Sequence, residues 1–200
     1  MAGEKDWARA LAERLERELA RTTPLIGVRP AQKLLYANEV MSYKAGTLVP
    51  QSVRPSPYET DVLLFDIADE QSWTPRVVIE TKLGSVTTHD ALTYSTKAWT
   101  HRHVHPYLRY GVLIGDFGGP LPGRLARHGQ HFDFMMVWRG SEPSADEWST
   151  LLGVLKVEID TSRRLQALLT DRTSGRERLQ LLHRRLEFVP AAAPAGAGTS

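Results

Sequence analysis

The sequence predicts an α/β protein in which helices flank a mixed central β-sheet. Short apolar runs recur at 62–65, 77–79 and 110–114, and their length is typical of buried strands. Stretches with apolar residues at helical spacing lie before and after these runs. The predicted order is helix, helix, short strand, two strands, helix, two strands and two helices, which is the order of an α/β sandwich.

Chain length favours a single domain. At 200 residues the chain can bury a substantial core but is too short for two large domains. We assign residues 1–188 to one domain, with a core at about 30–140 and extra C-terminal helices at about 144–188. Residues 189–200 are almost entirely Ala, Pro, Gly, Thr and Ser, which predicts a disordered tail.

Composition excludes several classes of protein. The absence of cysteine excludes disulfides and thiolate metal sites. No apolar run approaches the roughly 20 residues of a membrane helix, and the first residues, which include Glu4 and Asp6, lack the apolar core of a signal peptide. We therefore expect a cytoplasmic protein without a membrane partner. A net charge of +2 and a pI of about 9.0 permit nucleic-acid binding without requiring it.

Two helices are predicted before the first strand. Apolar residues four apart predict an amphipathic helix over residues 4–21, and Thr22, Thr23 and Pro24 end it. Pro30 then lies near the first turn of a second predicted helix, at about 31–43. Residues 45–57 are rich in Gly, Pro and Ser, and 47–49 is the only segment there that we expect to be a strand.

The next two strands form a predicted hairpin. One strand covers 58–67 and the other covers 76–82, joined by an acidic turn at 69–75, so the pair is expected to be antiparallel. Asp66 and Asp69 are interpreted as turn residues. Asp66 is also at the opposite end of its strand from Asp61.

A polar helix and two more strands follow. Thr87 or Thr88 caps a predicted helix at about 89–103, and strands are predicted at 110–114 and 132–138, on either side of a loop rich in Gly and Pro. The predicted polar helix carries residues at spacing four: His89, Thr93, Lys97, His101 and His105. His101, His103 and His105 also suggest zinc, but alternate spacing does not suit a site on a helix, and this histidine cluster lacks a carboxylate or cysteine partner.

Two capping boxes predict the C-terminal helices. Ser144 with Glu147 starts one that continues towards Leu169, and Ser174 with Glu177 starts another. These helices either cover the sheet or supply the contact of a symmetric dimer.

The most informative residues are Asp61, Glu80 and Lys82. Asp61 opens one predicted strand, whereas Glu80 and Lys82 close the next and project from the same face because side chains alternate along a strand. Two carboxylates and an ammonium are therefore expected to meet at one strand end. Carboxylate oxygens are the ligands that magnesium prefers, and such a site suits phosphodiester hydrolysis.

Asp61 followed by Glu80-Thr81-Lys82 at the end of an apolar strand resembles the motif of the PD-(D/E)XK nuclease superfamily, which includes many restriction and repair endonucleases. Thr60, and not proline, precedes Asp61 here. The resemblance implies a restriction-endonuclease-like fold and a magnesium-dependent endonuclease that acts on DNA, with manganese as a substitute ion. Asp61, Glu80 and the backbone carbonyl of Thr81 would hold the metal, and Lys82 would hold the attacking water and stabilise the transition state.

The resemblance also implies further residues. A helix before the strands often carries an acid that completes the metal site, and Glu39 is the candidate, the alternative being an acid at the solvent boundary of its helix. Lys97 and Tyr94 are candidate phosphate contacts, the alternative being a solvated helix face. Arg124 and Arg127, behind the loop rich in Gly and Pro, are candidate contacts to DNA.

Assembly and rival functions remain open at this point. One active site per chain predicts a homodimer, or two successive reactions, for a double-strand break. A non-catalytic nucleic-acid-binding protein with the same fold and an RNA-directed nuclease are the alternatives. No aromatic RNA-recognition signature is visible in the sequence, which favours DNA.

Overall fold

A five-stranded mixed sheet forms the centre of the molecule. The structure is a computed structural model and describes residues 3–23 and 25–170. The helices and strands follow in the order α1 (Glu4–Thr22), β1 (Ile26–Pro30), β2 (Lys33–Tyr43), β3 (Pro50–Glu59), β4 (Val62–Ile67), β5 (Trp73–Leu83), α2 (Thr88–Val104), β6 (Arg109–Gly115), α3 (Gly123–His128), β7 (Phe134–Val137) and α4 (Ala145–Thr170). The predicted helix that starts at Ser174 and the predicted tail at 189–200 lie outside the described residues.

The strand order in the central sheet is β1-β4-β5-β6-β7. β1 pairs with β4, and β4 with β5, in antiparallel orientation, as predicted for the hairpin of β4 and β5, whereas β6 and β7 continue the sheet parallel to β5. Helix α2 connects β5 to β6, because parallel neighbours need a crossover of a dozen or more residues. The predicted α/β class with a mixed sheet is confirmed.

Helices cover both faces of the sheet. Helices α1 and α4 pack on one face, where Leu15, Leu151 and Leu155 belong to one apolar cluster with Val77, Ile79 and Leu113 of the sheet. Helices α2 and α3 pack on the other face, where Ala98 and Leu125 belong to two apolar clusters with residues of β5 and β6. Strands buried on both faces read as continuous apolar runs, which is why the runs in β4, β5 and β6 were visible in the sequence.

A second, two-stranded antiparallel sheet consists of β2 and β3. The prediction of a helix over about 31–43 is wrong, since this segment is strand β2. Its partner β3 covers most of the segment interpreted as loop, and the predicted strand at 47–49 lies in the connecting turn. Strand pairing overrides local propensity here, and proline is tolerated in β3 because each strand of a two-stranded ribbon has one free edge.

The predicted strand at 58–67 is divided between two sheets. Tyr58 and Glu59 end β3, and the backbone N–H of Thr60 then donates to the carbonyl of Gln32, 3.0 Å away, before β4 begins at Val62. Thr60 is fully buried. The chain therefore turns at Asp61, which stands just before β4 instead of inside a strand.

The remaining predicted elements are mostly confirmed. Helices α1 and α2, strands β5, β6 and β7, and helix α4 from its Ser144–Glu147 capping box all match their predicted positions. Strand β1 and helix α3 were not predicted. None of the helices in the described residues is long and apolar enough to cross a membrane.

The two aspartates assigned to turns behave differently. Asp69 accepts hydrogen bonds from the backbone N–H groups of Gln71 and Ser72, as expected of a turn residue. Asp66 lies in β4, where its carboxylate is 2.6 Å from Arg76 and 2.7 Å from Arg163. These two guanidinium groups outweigh the effect of partial burial and hold the pKa of Asp66 below its usual value.

Candidate active site

Strands β4 and β5 bring Asp61 and Glu80 to the same edge of the sheet. The register pairs Val62 with Ile79, so the residues that precede and follow this pair are neighbours. Oxygen Oδ2 of Asp61 accepts the backbone N–H of Thr81 at 2.7 Å and the hydroxyl of Thr81 at 3.0 Å. Thr81 is buried, and its two donors fix the orientation of the Asp61 carboxylate.

Glu80 lies in a closed polar environment. Its side chain is buried, and it accepts a hydrogen bond of 2.6 Å from the phenol of Tyr110. The parallel register pairs Tyr110 with Val78, which places the phenol on the face of β5 that carries Glu80. The ammonium of Lys97 on α2 lies 3.2 and 3.3 Å from the two Glu80 oxygens. Tyr110 was not among the predicted site residues, because only the pairing of β5 with β6 reveals its contact.

The electrostatic surroundings of Glu80 are unusual for a carboxylic acid. Burial and the nearby charge of Asp61 raise the pKa of Glu80 to about 7, although Lys97 and Tyr110 act in the opposite direction. Without a further cation, the group is therefore partly protonated at neutral pH. The site contains more negative charge than its single direct ammonium balances.

Lys82 faces a different pair of carboxylates. Its ammonium lies 3.3 Å from Glu4, in the first turn of α1, and 3.5 Å from Asp90, in the first turn of α2. Burial opposes the charged form of Lys82, but these two carboxylates outweigh it and raise the pKa of the lysine. Lys82 is therefore protonated at neutral pH and acts as a hydrogen-bond donor and a positive charge, not as a general base.

Lys97 and Tyr94 lie beside the acidic cluster, which consists of Asp61 and Glu80. Besides Glu80, the Lys97 ammonium donates to the backbone carbonyl of Glu59 at 3.2 Å, and it is 5.5 Å from the centre of the Tyr94 ring. Burial, followed by the charges of Glu80 and Asp61, raises the pKa of Tyr94, so its phenol keeps its proton. Both residues lie close to Glu80, and their contact with a phosphate stays a prediction.

Glu39 does not belong to this cluster. It lies on strand β2 and not on a helix, it is exposed, and it stands opposite Arg54 on β3. It follows Lys33, at the base of the ribbon, by six residues, or about 20 Å of strand. The acid that a helix contributes near the site is Glu4 instead. Its sequence signal was its place in the first turn of a helix, but only the packing of α1 on the sheet brings it to Lys82.

The predicted arginines occupy the short helix α3. Arg124 and Arg127 are both exposed, and the guanidinium of Arg124 donates to the backbone carbonyl of Val86 at 3.0 Å. Helix α3 packs beside α2 on the same face of the sheet. Their contact with DNA stays a prediction.

The donor set suits a hard divalent cation. Among the described residues there is no group of three or more His, Asp or Glu side chains placed to hold a metal. His101 therefore belongs to no such group, and burial lowers its pKa to about 4. Magnesium does not need such a group, since it usually keeps several waters and binds proteins through one or two carboxylates. Asp61 and Glu80 supply two, and burial together with the nearby charge of Asp61 raises the pKa of Glu80.

Two comparisons of the chain with known proteins find no match. No protein-family model matches the chain, and no curated protein is significantly similar to it in sequence. The class that the fold and the site define is therefore an α/β protein with a mixed sheet, in which a partly buried Asp61 and a buried Glu80 lie together at one end of two strands.

The buried acid predicts a pH effect on stability in metal-free buffer. Since the pKa of folded Glu80 is raised from 4.5 to about 7, its contribution to stability is present at low pH and is lost as the pH rises through 7. Relative to Glu80→Gln, the wild type should lose roughly 3 kcal/mol of unfolding free energy between pH 4.5 and 8. Urea unfolding of both proteins in EDTA measures this difference, and groups common to both cancel. Parallel pH profiles would contradict the assigned environment of Glu80.

Proposed function

We propose that the chain is a metal-dependent endonuclease of the PD-(D/E)XK type, with the restriction-endonuclease-like fold, which hydrolyses phosphodiester bonds in DNA. The observation that carries this proposal is that Asp61 and Glu80 come together where strands β4 and β5 meet, with Lys82 two residues beyond Glu80 on the same strand. Asp61 and Glu80 are oriented by dedicated hydrogen bonds, and Lys82 is held by two carboxylates from neighbouring helices. Such support is what a preorganised site requires.

Asp61 and Glu80 would hold the magnesium ion, for which manganese substitutes, and the Thr81 carbonyl is a further proposed ligand. Bound there, the ion would lower the pKa of a coordinated water and polarise the scissile phosphate. Thr81 keeps Asp61 oriented, and Tyr110 does the same for Glu80. Lys97 balances the Glu80 charge and would have to share that carboxylate with the ion.

Lys82 would act on the reacting phosphate as a fixed positive charge. Because its pKa is raised, the ammonium persists at neutral pH and can donate to the attacking water or to the phosphate oxygens. Negative charge grows on the phosphate oxygens in the transition state, so a preorganised donor stabilises that state more than the bound substrate. The proposal also includes a cytoplasmic location and a homodimer whose two sites cut the two strands.

The direct experiment is incubation of the purified protein with supercoiled plasmid, linear duplex and single-stranded RNA, in magnesium and in EDTA. Nicked or linear plasmid that forms only in magnesium is the expected result. Cleavage of RNA alone would identify an RNA-directed nuclease. Binding to DNA without cleavage, in magnesium and in manganese, would favour the non-catalytic nucleic-acid-binding protein.

Lys82→Ala separates catalysis from binding. Loss of one preorganised electrostatic donor is expected to lower the single-turnover cleavage rate by roughly 100-fold, while the protein stays folded. DNA affinity should be largely retained, since most contacts to a duplex are made by other groups. Lys156→Ala, which removes an exposed lysine of α4, is the matched control. A Lys82→Ala rate within a few fold of the wild type, at equal melting temperature, would exclude the proposed role.

A further inference from the structure

The ribbon of β2 and β3 projects from the sheet as an arm, residues 33–59, whose distal part has no partner in the described chain. From Asn38 to Pro55 every residue is exposed. An isolated two-stranded hairpin is only marginally stable in water, so an arm of this length needs either an anchored base or a binding partner.

The base of the arm is anchored beside the candidate active site. Leu34 is buried in the cluster that α2 forms with the sheet, and Tyr36 stacks on Tyr58 with ring centres 3.7 Å apart. The ring of Tyr58 also packs on His101 of α2. The arm ends at Glu59, two residues before Asp61, so its position relative to the site is fixed by the chain itself.

The tip of the arm combines apolar and basic side chains. Leu48 is 90% exposed at the turn, next to Val49 at 59%, and Met41 and Tyr43 are also exposed. The segment from Val40 to Tyr58 contains Lys44 and Arg54 and no acidic residue. Glu39 is the nearest acid on the arm and faces Arg54 across the ribbon.

We propose, building on the nuclease function proposed above, that the arm binds duplex DNA. Lys44 and Arg54 contact the phosphates, and Leu48 inserts between base pairs as an apolar wedge. β-Ribbons bind DNA in either groove, and proteins that bind the minor groove insert exposed Leu, Met or Pro side chains between base steps and bend the duplex. Pro50 lies beside the wedge, at the start of β3.

The length of the arm defines how far from the cut it acts. Strand β2 has 11 residues, which span about 33 Å at the rise of an extended strand. This equals about 10 base pairs of duplex. Contacts made by the tip therefore reach up to about one helical turn from the phosphate that lies at Asp61 and Glu80.

Charge complementarity favours DNA over a second copy of the chain as the occupant. The exposed part of the arm carries two cations, Lys44 at the tip and Arg54 opposite Glu39, and its other polar residues are uncharged hydrogen-bonding groups, among them Ser42, Thr47, Gln51 and Ser52. Two copies joined tip to tip would bring like charges together, whereas phosphates neutralise them and release counterions.

The test is the binding of a fluorescein-labelled 30-base-pair duplex, followed by anisotropy in EDTA so that the DNA stays intact. The Lys44→Ala/Arg54→Ala variant should bind at least tenfold more weakly, and its plot of log affinity against log salt should lose about 2 units of slope. Leu48→Ser should weaken binding roughly tenfold without changing the slope, because an apolar contact releases no ions. Glu39→Gln should tighten binding, since it removes a negative charge from the arm.

The matched control is Arg17→Ala/Arg21→Ala, which removes two exposed charges from the end of α1 distant from Glu4 and should leave binding unchanged. Arm variants that bind like the wild type would overturn the inference even if the protein cleaves DNA. Loss of binding in the arm variants would support it even if no cleavage is detected. Leu48→Ser that converts a dimer into a monomer in light scattering, with unchanged DNA affinity, would assign the arm to a second copy and overturn the proposal.

Discussion

Asp61→Asn is expected to lower magnesium-dependent plasmid cleavage by about 1,000-fold and to leave the protein folded. The amide oxygen of asparagine can still accept the N–H and the hydroxyl of Thr81, which lie 2.7 and 3.0 Å from the present carboxylate. The charge that a divalent cation requires is lost. An effect of this size matches the removal of a group on which transition-state stabilisation depends.

Two measurements make the Asp61 prediction specific to the metal site. Calorimetric titration with manganese should show clear binding to the wild type and at least tenfold weaker binding to Asp61→Asn. Asp69→Asn, in an exposed turn outside the candidate site, is the control and should bind and cleave normally. If an Asp61→Ala/Glu80→Ala double variant binds manganese as tightly as the wild type, the assigned metal site is wrong.

Arg109→Ala is expected to cost about 3–5 kcal/mol of unfolding free energy, the scale for breaking a buried ion pair by removing one partner. Arg109 is buried at the start of β6, and its guanidinium lies 2.6 Å from the buried Glu158 of α4 and 2.9 Å from Asp133. The substitution removes the cation while both acids stay in place. The melting temperature should fall by roughly 10 °C.

An exposed ion pair is the control for the stability effect of Arg109→Ala. Arg9 and Asp6 lie 3.7 Å apart with both side chains exposed, so Arg9→Ala should change the unfolding free energy by less than about 1 kcal/mol. Arg109→Met combined with Glu158→Leu should recover much of the lost stability, because it removes the buried acid Glu158 together with the cation, while Asp133 keeps its contact with Arg102. Thermal unfolding of the three variants tests the assignment. A loss below about 1 kcal/mol in Arg109→Ala would contradict it.

The central sheet could be predicted because a strand that is buried on both faces forms a continuous apolar run in the sequence. Val77, Val78 and Ile79 are adjacent in sequence and all fully buried, so their run identified β5 directly. The polar residues that end such a run then stand out. Glu80 and Lys82 were located in this way, and the alternation of side chains placed them on one face.

The arm and the acid beside Lys82 could not be predicted for a different reason. Strand β2 exists because it pairs with β3, and β3 contains several prolines that indicate loop when the segment is considered alone. Glu4 contacts Lys82 across 78 positions of sequence. Neither relation has a local signature, since both depend on which segments meet in the folded molecule.

Asp90 takes part in two structures at once, and under the proposed function this links the position of Lys82 to the dynamics of helix α2. One oxygen of its carboxylate accepts the backbone N–H and the hydroxyl of Thr87, both at 2.7 Å, which closes the first turn of α2, and the other lies 3.5 Å from Lys82. When thermal fraying opens this turn, the ammonium loses one of its two anchors in the same event. If Lys82 acts as proposed, the fraction of time in which the turn is closed determines how often both anchors hold its ammonium, and amide hydrogen exchange at residues 87–90 would report that fraction.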